Sequence, residues 1–148
     1  MSKRGFTLIE ILLVIGLIAI LAAIVIIAIN PARQFAQARN TQRFSDVNAI
    51  LNAVHQNMID NKGNWTCAAG PIPTSSATNI GSGGSDYDIY DCLVDLYLPA
   101  LPYDPVDGSF TSSSTYDAGY EIIASYPGGR VTVSAPSAEI GVTISVTR

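Results

Sequence analysis

The feature that constrains this chain most is a run of apolar residues near its amino terminus. Residues 11–29 carry no ionisable side chain, and Glu10 is the single ionisable residue between positions 6 and 29. As an α-helix, the 19 residues of this run would span about 28 Å, which matches the roughly 30 Å hydrocarbon core of a bilayer. We therefore expect a membrane-spanning helix over residues 6–30, and this composition excludes a free cytoplasmic protein.

The segment before the run is short and basic, as at the start of an export signal. A cleaved secretory signal has an apolar region of about 7 to 15 residues that ends at a small-residue cleavage site. Here the run is longer and passes into Asn30 and Pro31 without such a site. We therefore expect the helix to be retained. Basic residues flank the run on both sides, so their count leaves its orientation open.

The charge balance argues against one class of partner. The chain has 148 residues, enough for one compact domain and an appended element, with 8 basic and 12 acidic side chains. From residue 63 onward nine acidic residues face only two basic ones. Nucleic-acid binding needs clustered lysine and arginine, so direct binding of DNA or RNA is not expected.

A second helix is predicted directly after the apolar run. Apolar residues recur at steps of three and four, the spacing of an amphipathic helix that buries one stripe: Phe44, Val47, Ile50, Leu51, Val54 and Met58. We expect this helix over residues 31–62, with Gly63 at its end. Two arrangements stay open at its start. The helix begins anew at Pro31, or one continuous helix is kinked by that proline.

The rest of the chain predicts loops followed by a small sheet. Residues 63–118 are expected to be irregular, with a short helix at about residues 88–98 that prolines terminate. Residues 119–148 are expected to form a three-stranded antiparallel meander, because three alternating runs are separated by turn residues at 127–129 and 136–138. The apolar face of this sheet needs a cover, and the helix stripe supplies one. The fold class is therefore α+β.

Residues 3–10 read Lys-Arg-Gly-Phe-Thr-Leu-Ile-Glu and lead straight into the apolar run. This sequence resembles the class III signal of type IV pilins and type II secretion pseudopilins. The resemblance implies that residues 1–5 are a leader, that a prepilin peptidase cuts after Gly5, and that the new terminus at Phe6 is N-methylated. It also implies a pilin-like fold with a cytoplasmic amino terminus and an exported remainder.

The resemblance gives Glu10 a role in assembly. A carboxylate near a membrane span is unfavourable without a partner. Cleavage after Gly5 would expose an ammonium at Phe6, and Glu10 of one subunit could neutralise the Phe6 ammonium of its neighbour. Desolvation inside the helix bundle would make errors of register costly.

Two further similarities come from the same family. Its filaments often lose helicity between a glycine and a proline, which here would be Gly16 and Pro31, although many pilins carry that proline a few residues earlier. The stretch Leu-Pro-Tyr-Asp-Pro at residues 101–105, with Gly108 following, is similar to the Leu-Pro-x-Asp-Pro stretch of major pseudopilins.

Cys67 and Cys92 are the two cysteines of the chain. An even cysteine count in an exported region favours a disulfide, and two buried free thiols are the alternative. Asp104, Asp107 and Asp117 are candidate calcium ligands by analogy with loops of major pseudopilins. Their spacing matches no EF-hand, and a solvated turn is the alternative.

The predicted function is that of a structural subunit that polymerises into a type IV pilus through its apolar helix. One alternative is a pseudopilin that forms a periplasmic pseudopilus for protein export. Another, from a different class, is a membrane-anchored binding or hydrolytic domain. We identify no catalytic residue and expect neither a cofactor nor an enzymatic activity.

The resemblance also implies the partners. They are further copies of the chain, the prepilin peptidase, an inner-membrane platform protein and a cytoplasmic assembly ATPase. The chain would be a single-pass protein of the inner membrane before assembly, and part of a periplasmic or cell-surface filament afterwards.

Overall fold

The computed structural model describes residues 5–125 and 129–148. The predicted leader, apart from Gly5, and most of the predicted turn at residues 127–129 lie outside the described residues. The chain divides into two compact units, Met1–Ala36 and Gln37–Arg148.

The first unit is dominated by helix α1, Leu8–Ile29. Its first turn is capped by Thr7, and it ends at Asn30, which adopts a left-handed conformation with φ of 48°. Every residue of α1 is exposed, although apart from Glu10 and a glycine its side chains are all apolar. By length and composition α1 is the one helix among the described residues that could cross a membrane.

Helix α2, Pro31–Asp60, begins directly after Asn30. The Asn30 carbonyl accepts hydrogen bonds from the N–H groups of Arg33 and Gln34, and its side-chain Oδ1 accepts a weaker one from Arg33. Asn30 therefore ends one helix and caps the next. Of the two arrangements left open by the sequence, the structure has the new helix that begins at Pro31.

Helix α2 buries a stripe that mixes apolar with polar residues: Asn40, Arg43, Val47, Ile50, Leu51, Ala53, Val54 and Asn57. The prediction that Phe44 belongs to this stripe is wrong, because its side chain is 55% exposed. Arg43 occupies the buried position instead, and an ion pair described below compensates its charge.

The second unit contains a five-stranded sheet in which every strand pair is antiparallel. The strands are β1 Thr78–Gly81, β2 Ser109–Ser112, β3 Thr115–Ser125, β4 Arg130–Ala135 and β5 Ile144–Thr147. The long strand β3 is central, because it pairs with β1, β2 and β4, and β5 extends the sheet beyond β4.

Alternating residues of β3 and β4 point into the core, as expected for strands with one buried face. Tyr120, Ile122 and Val133 are fully buried in the same cluster as Val47 and Leu51 of α2. Helix α2 thus covers the apolar face of the sheet, and the predicted α+β class is confirmed.

Three boundaries in the second unit differ from the prediction. The supposedly irregular residues 63–118 contribute the two short strands β1 and β2 and the first four residues of β3. The sheet therefore has five strands, and the predicted three-stranded meander is wrong. The short helix α3 covers only Tyr90–Leu93, since Val94 is extended and Asp95 adopts φ of 67°. These backbone conformations end the helix before Leu96.

The third predicted run, residues 140–147, forms a strand only from Ile144 onward. Ile140 and Gly141 have φ values of 59° and 68°. Two consecutive left-handed residues make a turn and cannot continue a ladder. The apolar alternation therefore extends beyond the strand into a turn.

The predicted disulfide between Cys67 and Cys92 is present, and the two Cα atoms lie 5.3 Å apart. It joins the loop after α2 to α3. The same loop is held by Asn57, whose side chain donates to the carbonyls of Thr66 and Cys92 and accepts from the Thr66 N–H.

Candidate assembly site

The amino-terminal site is built around a capping box at the start of α1. The backbone N–H and the hydroxyl of Thr7 both donate to Oε2 of Glu10, each at 2.8 Å, while the Glu10 N–H donates to the Thr7 hydroxyl at 3.3 Å. The capping box fixes where the helix begins. It also holds the Glu10 carboxylate close to the end of the helix.

The residues at the predicted cleavage point precede the helix. Gly5, Phe6 and Thr7 have no regular secondary structure, and the Phe6 side chain is 85% exposed. Gly5 and Phe6 are both exposed, so the predicted cleavage point is accessible on the residues that the structure describes. The proposed acid and the proposed new amino terminus thus lie four residues apart in one exposed segment.

Gly16 and Pro31 are the predicted ends of the segment that loses helicity in a filament, and only one of them lies at a helix boundary in this structure. Gly16 lies inside α1, and a Cβ atom added there would meet nothing within 4 Å. Pro31 is the first residue of α2. The helix break in the isolated chain is therefore at Asn30 and Pro31, and the structure shows helix at Gly16.

In the second unit, the Leu-Pro-x-Asp-Pro stretch is attached to α2 by a buried ion pair. Nε of Arg43 donates to Oδ2 of Asp104 at 2.6 Å, and Nη2 donates to Oδ1 at 3.1 Å. The side chains are 1% and 0% exposed. Such bidentate, charge-assisted pairs are among the strongest hydrogen bonds in proteins and are geometrically specific.

Asp104 is also bound by its own loop. Its Oδ1 accepts from the N–H groups of Val106 and Asp107 at 2.8 and 3.0 Å. Burial raises the pKa of the Asp104 carboxyl, but the hydrogen bonds from Arg43 and from these two N–H groups outweigh it. The pKa is therefore below its usual value of 3.8, and Asp104 is ionised at neutral pH.

Glu139 joins the same cluster from the turn before β5. Its carboxylate accepts two hydrogen bonds from Arg39, both at 2.7 Å, and one from Nη1 of Arg43 at 3.0 Å. Asn40 donates to the Glu139 carbonyl and accepts from its N–H. The Arg39 hydrogen bonds, opposed by partial burial and helped by Arg43, lower the Glu139 pKa from 4.5 to about 2.

The predicted calcium ligands do not fit a metal site. Asp104 is occupied by Arg43, and Asp117 Oδ1 accepts from the Asn79 amide and the Gly119 N–H. Asp107 is exposed and contributes its backbone N–H to Asp104. Across residues 5–125 and 129–148, no group of three or more metal-binding side chains comes together. The calcium hypothesis is therefore not supported for these residues.

An open groove of about 560 Å³ lies beside the Asp104 loop. It is lined by Gln42 and Asp46 of α2 and by Leu101, Pro102 and Tyr103. Burial raises the pKa of Asp46, although the hydrogen bond from the Tyr120 hydroxyl lowers it in part.

Sequence reasoning missed the roles of Arg39, Asn40, Arg43 and Glu139. One signal was present, because Asn40 and Arg43 continue the buried stripe of α2 at steps of three and four before Val47. A charged residue at a buried helix position requires a partner of opposite charge. The sequence did not show which of the acids supplies it.

Comparison with known proteins supports this description of the amino-terminal segment. Residues 1–29 match the model of the prokaryotic N-terminal methylation motif. The chain is also similar to the type II secretion system core protein G of Escherichia coli strain K12. The two are 26% identical over 131 residues, which cover 88% of this chain and 86% of the relative. No solved structure matches the chain.

The chain therefore shares its amino-terminal segment with the proteins that carry the prokaryotic N-terminal methylation motif. Beyond this segment, the similarity extends along most of the chain to one relative. The particular relative, core protein G, belongs to type II secretion.

Proposed function

We propose that the chain is a structural subunit of a type II secretion pseudopilus. The observation that carries this proposal is the similarity to a type II secretion core protein over 88% of the chain, well beyond the shared methylation motif. The Leu-Pro-Tyr-Asp-Pro stretch agrees with it. The role is structural and not enzymatic.

Polymerisation would begin with α1. Its 22 residues are all exposed in the isolated chain. Before assembly the bilayer would cover this surface, so the precursor would be a single-pass protein of the inner membrane. In the filament, helices of other copies would cover the surface instead. Because lipid is as apolar as these side chains, close packing between the helices, and not their removal from water, would stabilise the bundle.

Glu10 and Phe6 would fix the register. After cleavage by a prepilin peptidase, the amino group of Phe6 becomes a cation, which N-methylation preserves. The Glu10 carboxylate of a neighbouring copy would neutralise this cation. To do so, the carboxylate would either give up its hydrogen bonds from Thr7 or accept from both groups at once. A platform protein and a cytoplasmic ATPase of the same system would drive insertion of each subunit.

Deletion of the gene and complementation test the proposal. We expect deletion to abolish export of type II secretion substrates while surface pili and twitching motility remain. The intact chain should restore export. Loss of surface pili with normal export would contradict the proposal and support the type IV pilus alternative.

Processing is tested separately by the intact mass of the chain purified from membranes. The expected species begins at Phe6 and carries one added methyl group. A mature chain that still carries residues 1–5 would exclude the pilin and pseudopilin functions together and favour a simple membrane anchor.

A further inference from the structure

The buried Arg43 side chain lies in surroundings typical of a bound cation. Its guanidinium donates to four oxygen atoms from three residues: Oδ1 and Oδ2 of Asp104, Oε2 of Glu139 and Oδ1 of Asn40. All four donor–acceptor distances lie between 2.6 and 3.1 Å. Carboxylate and amide oxygens of this kind are the ligands that hard divalent cations take in proteins.

The three residues come from segments that are distant in sequence. Asn40 is on α2, Asp104 is in the loop before β2, and Glu139 is in the turn before β5. Loops and turns lie on the protein surface. They bury few apolar side chains of their own, so hydrogen bonds and ion pairs are needed to hold them in one position. One cationic group therefore joins both segments to the helix.

The loop around Asp104 is closed on its other sides as well. The Asp104 N–H donates to the Ala118 carbonyl of β3, and the Asp104 carbonyl accepts from the Gly108 N–H. A Cβ atom at Gly108 would approach the Asp104 backbone nitrogen to 2.5 Å. Oδ1 of Asp104 already accepts three hydrogen bonds and Oδ2 accepts one from Arg43, so a metal ion at this carboxylate would have to displace these donors.

We propose that Arg43 is the structural cation of the unit Gln37–Arg148. Its guanidinium holds the surrounding oxygen atoms together as a bound divalent ion would. The stability of this unit is then independent of calcium. Arg43 acts as a positioning residue for the loop at residues 101–108 and for the turn at Glu139. This inference concerns folding and does not depend on which filament the chain builds.

The experiment measures thermal unfolding of the full chain in detergent micelles, in excess chelator and in millimolar calcium. The wild-type melting temperature should be the same in both conditions to within about 1 °C. Arg43→Met leaves Asp104 buried without a counter-charge and should lower the melting temperature by at least about 10 °C. A calcium-dependent rise of several degrees in the wild type would overturn the proposal.

Two further variants separate loss of the cation from loss of packing. Arg39→Met is the matched control, because Arg39 contacts Glu139 from a position that is one-third exposed, and it should lower the melting temperature far less than Arg43→Met. The double variant Arg43→Met/Asp104→Asn removes both charges and keeps an oxygen that can accept from the N–H groups of Val106 and Asp107, so it should melt above the single variant. Equal effects of the two arginine variants, or no recovery in the double variant, would contradict the proposal.

Discussion

At the residue scale, two glycines show how tightly the loop that carries Asp104 is packed. A Cβ atom at Gly119 would lie 2.9 Å from the Cβ of Asp104, and Gly119 itself has φ of 68°. At Gly108 the added atom would clash with the backbone of residue 104. Gly108 requires glycine because backbone atoms cannot move aside as a flexible side chain can, and Gly119 requires it because of its positive φ.

Gly108→Ala should therefore destabilise the protein by about 1 to 3 kcal/mol, the usual cost of overpacking. Gly84→Ala is the matched control, since a Cβ atom at Gly84 meets nothing within 4 Å. Chemical denaturation of both variants measures the difference. A Gly108 variant as stable as the Gly84 variant would show that the loop is not packed as described.

The charge cluster predicts how stability depends on acidity. The pKa of Glu139 is lowered from 4.5 to about 2 by Arg39, with a smaller contribution from Arg43. A depressed folded-state pKa means that its stabilising contribution is full above pH 4.5 and is lost as the pH falls toward 2. The melting temperature should therefore decrease over this interval.

The variant Glu139→Gln identifies the group responsible for that decrease. It should be less stable than the wild type at neutral pH, and it should lose less stability between pH 4.5 and 2. Melting curves recorded at several pH values give both quantities. A variant whose pH profile has the same slope as the wild type would assign the effect to other carboxylates.

At the scale of elements, the disulfide is the covalent tie between the loop after α2 and helix α3. The sequence separation of the two cysteines is 25 residues, and closing a loop of this length stabilises a fold by about 3 kcal/mol. The double variant Cys67→Ser/Cys92→Ser should lose about this amount in chemical denaturation. Addition of a reductant should destabilise the wild type and leave the variant unchanged.

Elements with a long periodic pattern were predictable from the sequence, because many residues contribute to the pattern. Helix α1 follows from its uninterrupted apolar run, and strands β3 and β4 follow from alternation. Strands β1 and β2 were not predicted, since each has four residues and is rich in small polar side chains. Backbone hydrogen bonds to β3 form them, and sequence patterns do not display such pairing.

The candidate site was predictable only in part, for a similar reason. Glu10 and Phe6 are recognised from a local motif, since the chemistry depends on residues close together in sequence. The Arg43–Asp104 pair joins positions 61 residues apart, so only the fold brings them together. The apolar pattern alone therefore placed Phe44 in the stripe, although Arg43 is the buried residue at this end of α2.

At the scale of the whole molecule, the chain combines two units with different physical requirements. Unit Gln37–Arg148 has its own apolar core, built from α2 and the sheet. Unit Met1–Ala36 contains no buried residue in α1 and cannot satisfy its apolar surface alone. Such a surface needs a cover, and under the proposed function a membrane and then other copies of the chain supply it in turn.

We propose that copies of α1 bundle in a register set by Glu10. The variant Glu10→Ala tests this register, with the fraction of the chain in purified filaments measured against the fraction in the inner membrane. We expect normal or slightly improved membrane insertion, because a carboxylate is removed from an apolar segment, and incorporation into filaments reduced to near zero. Filaments formed by the variant at wild-type levels would contradict the account.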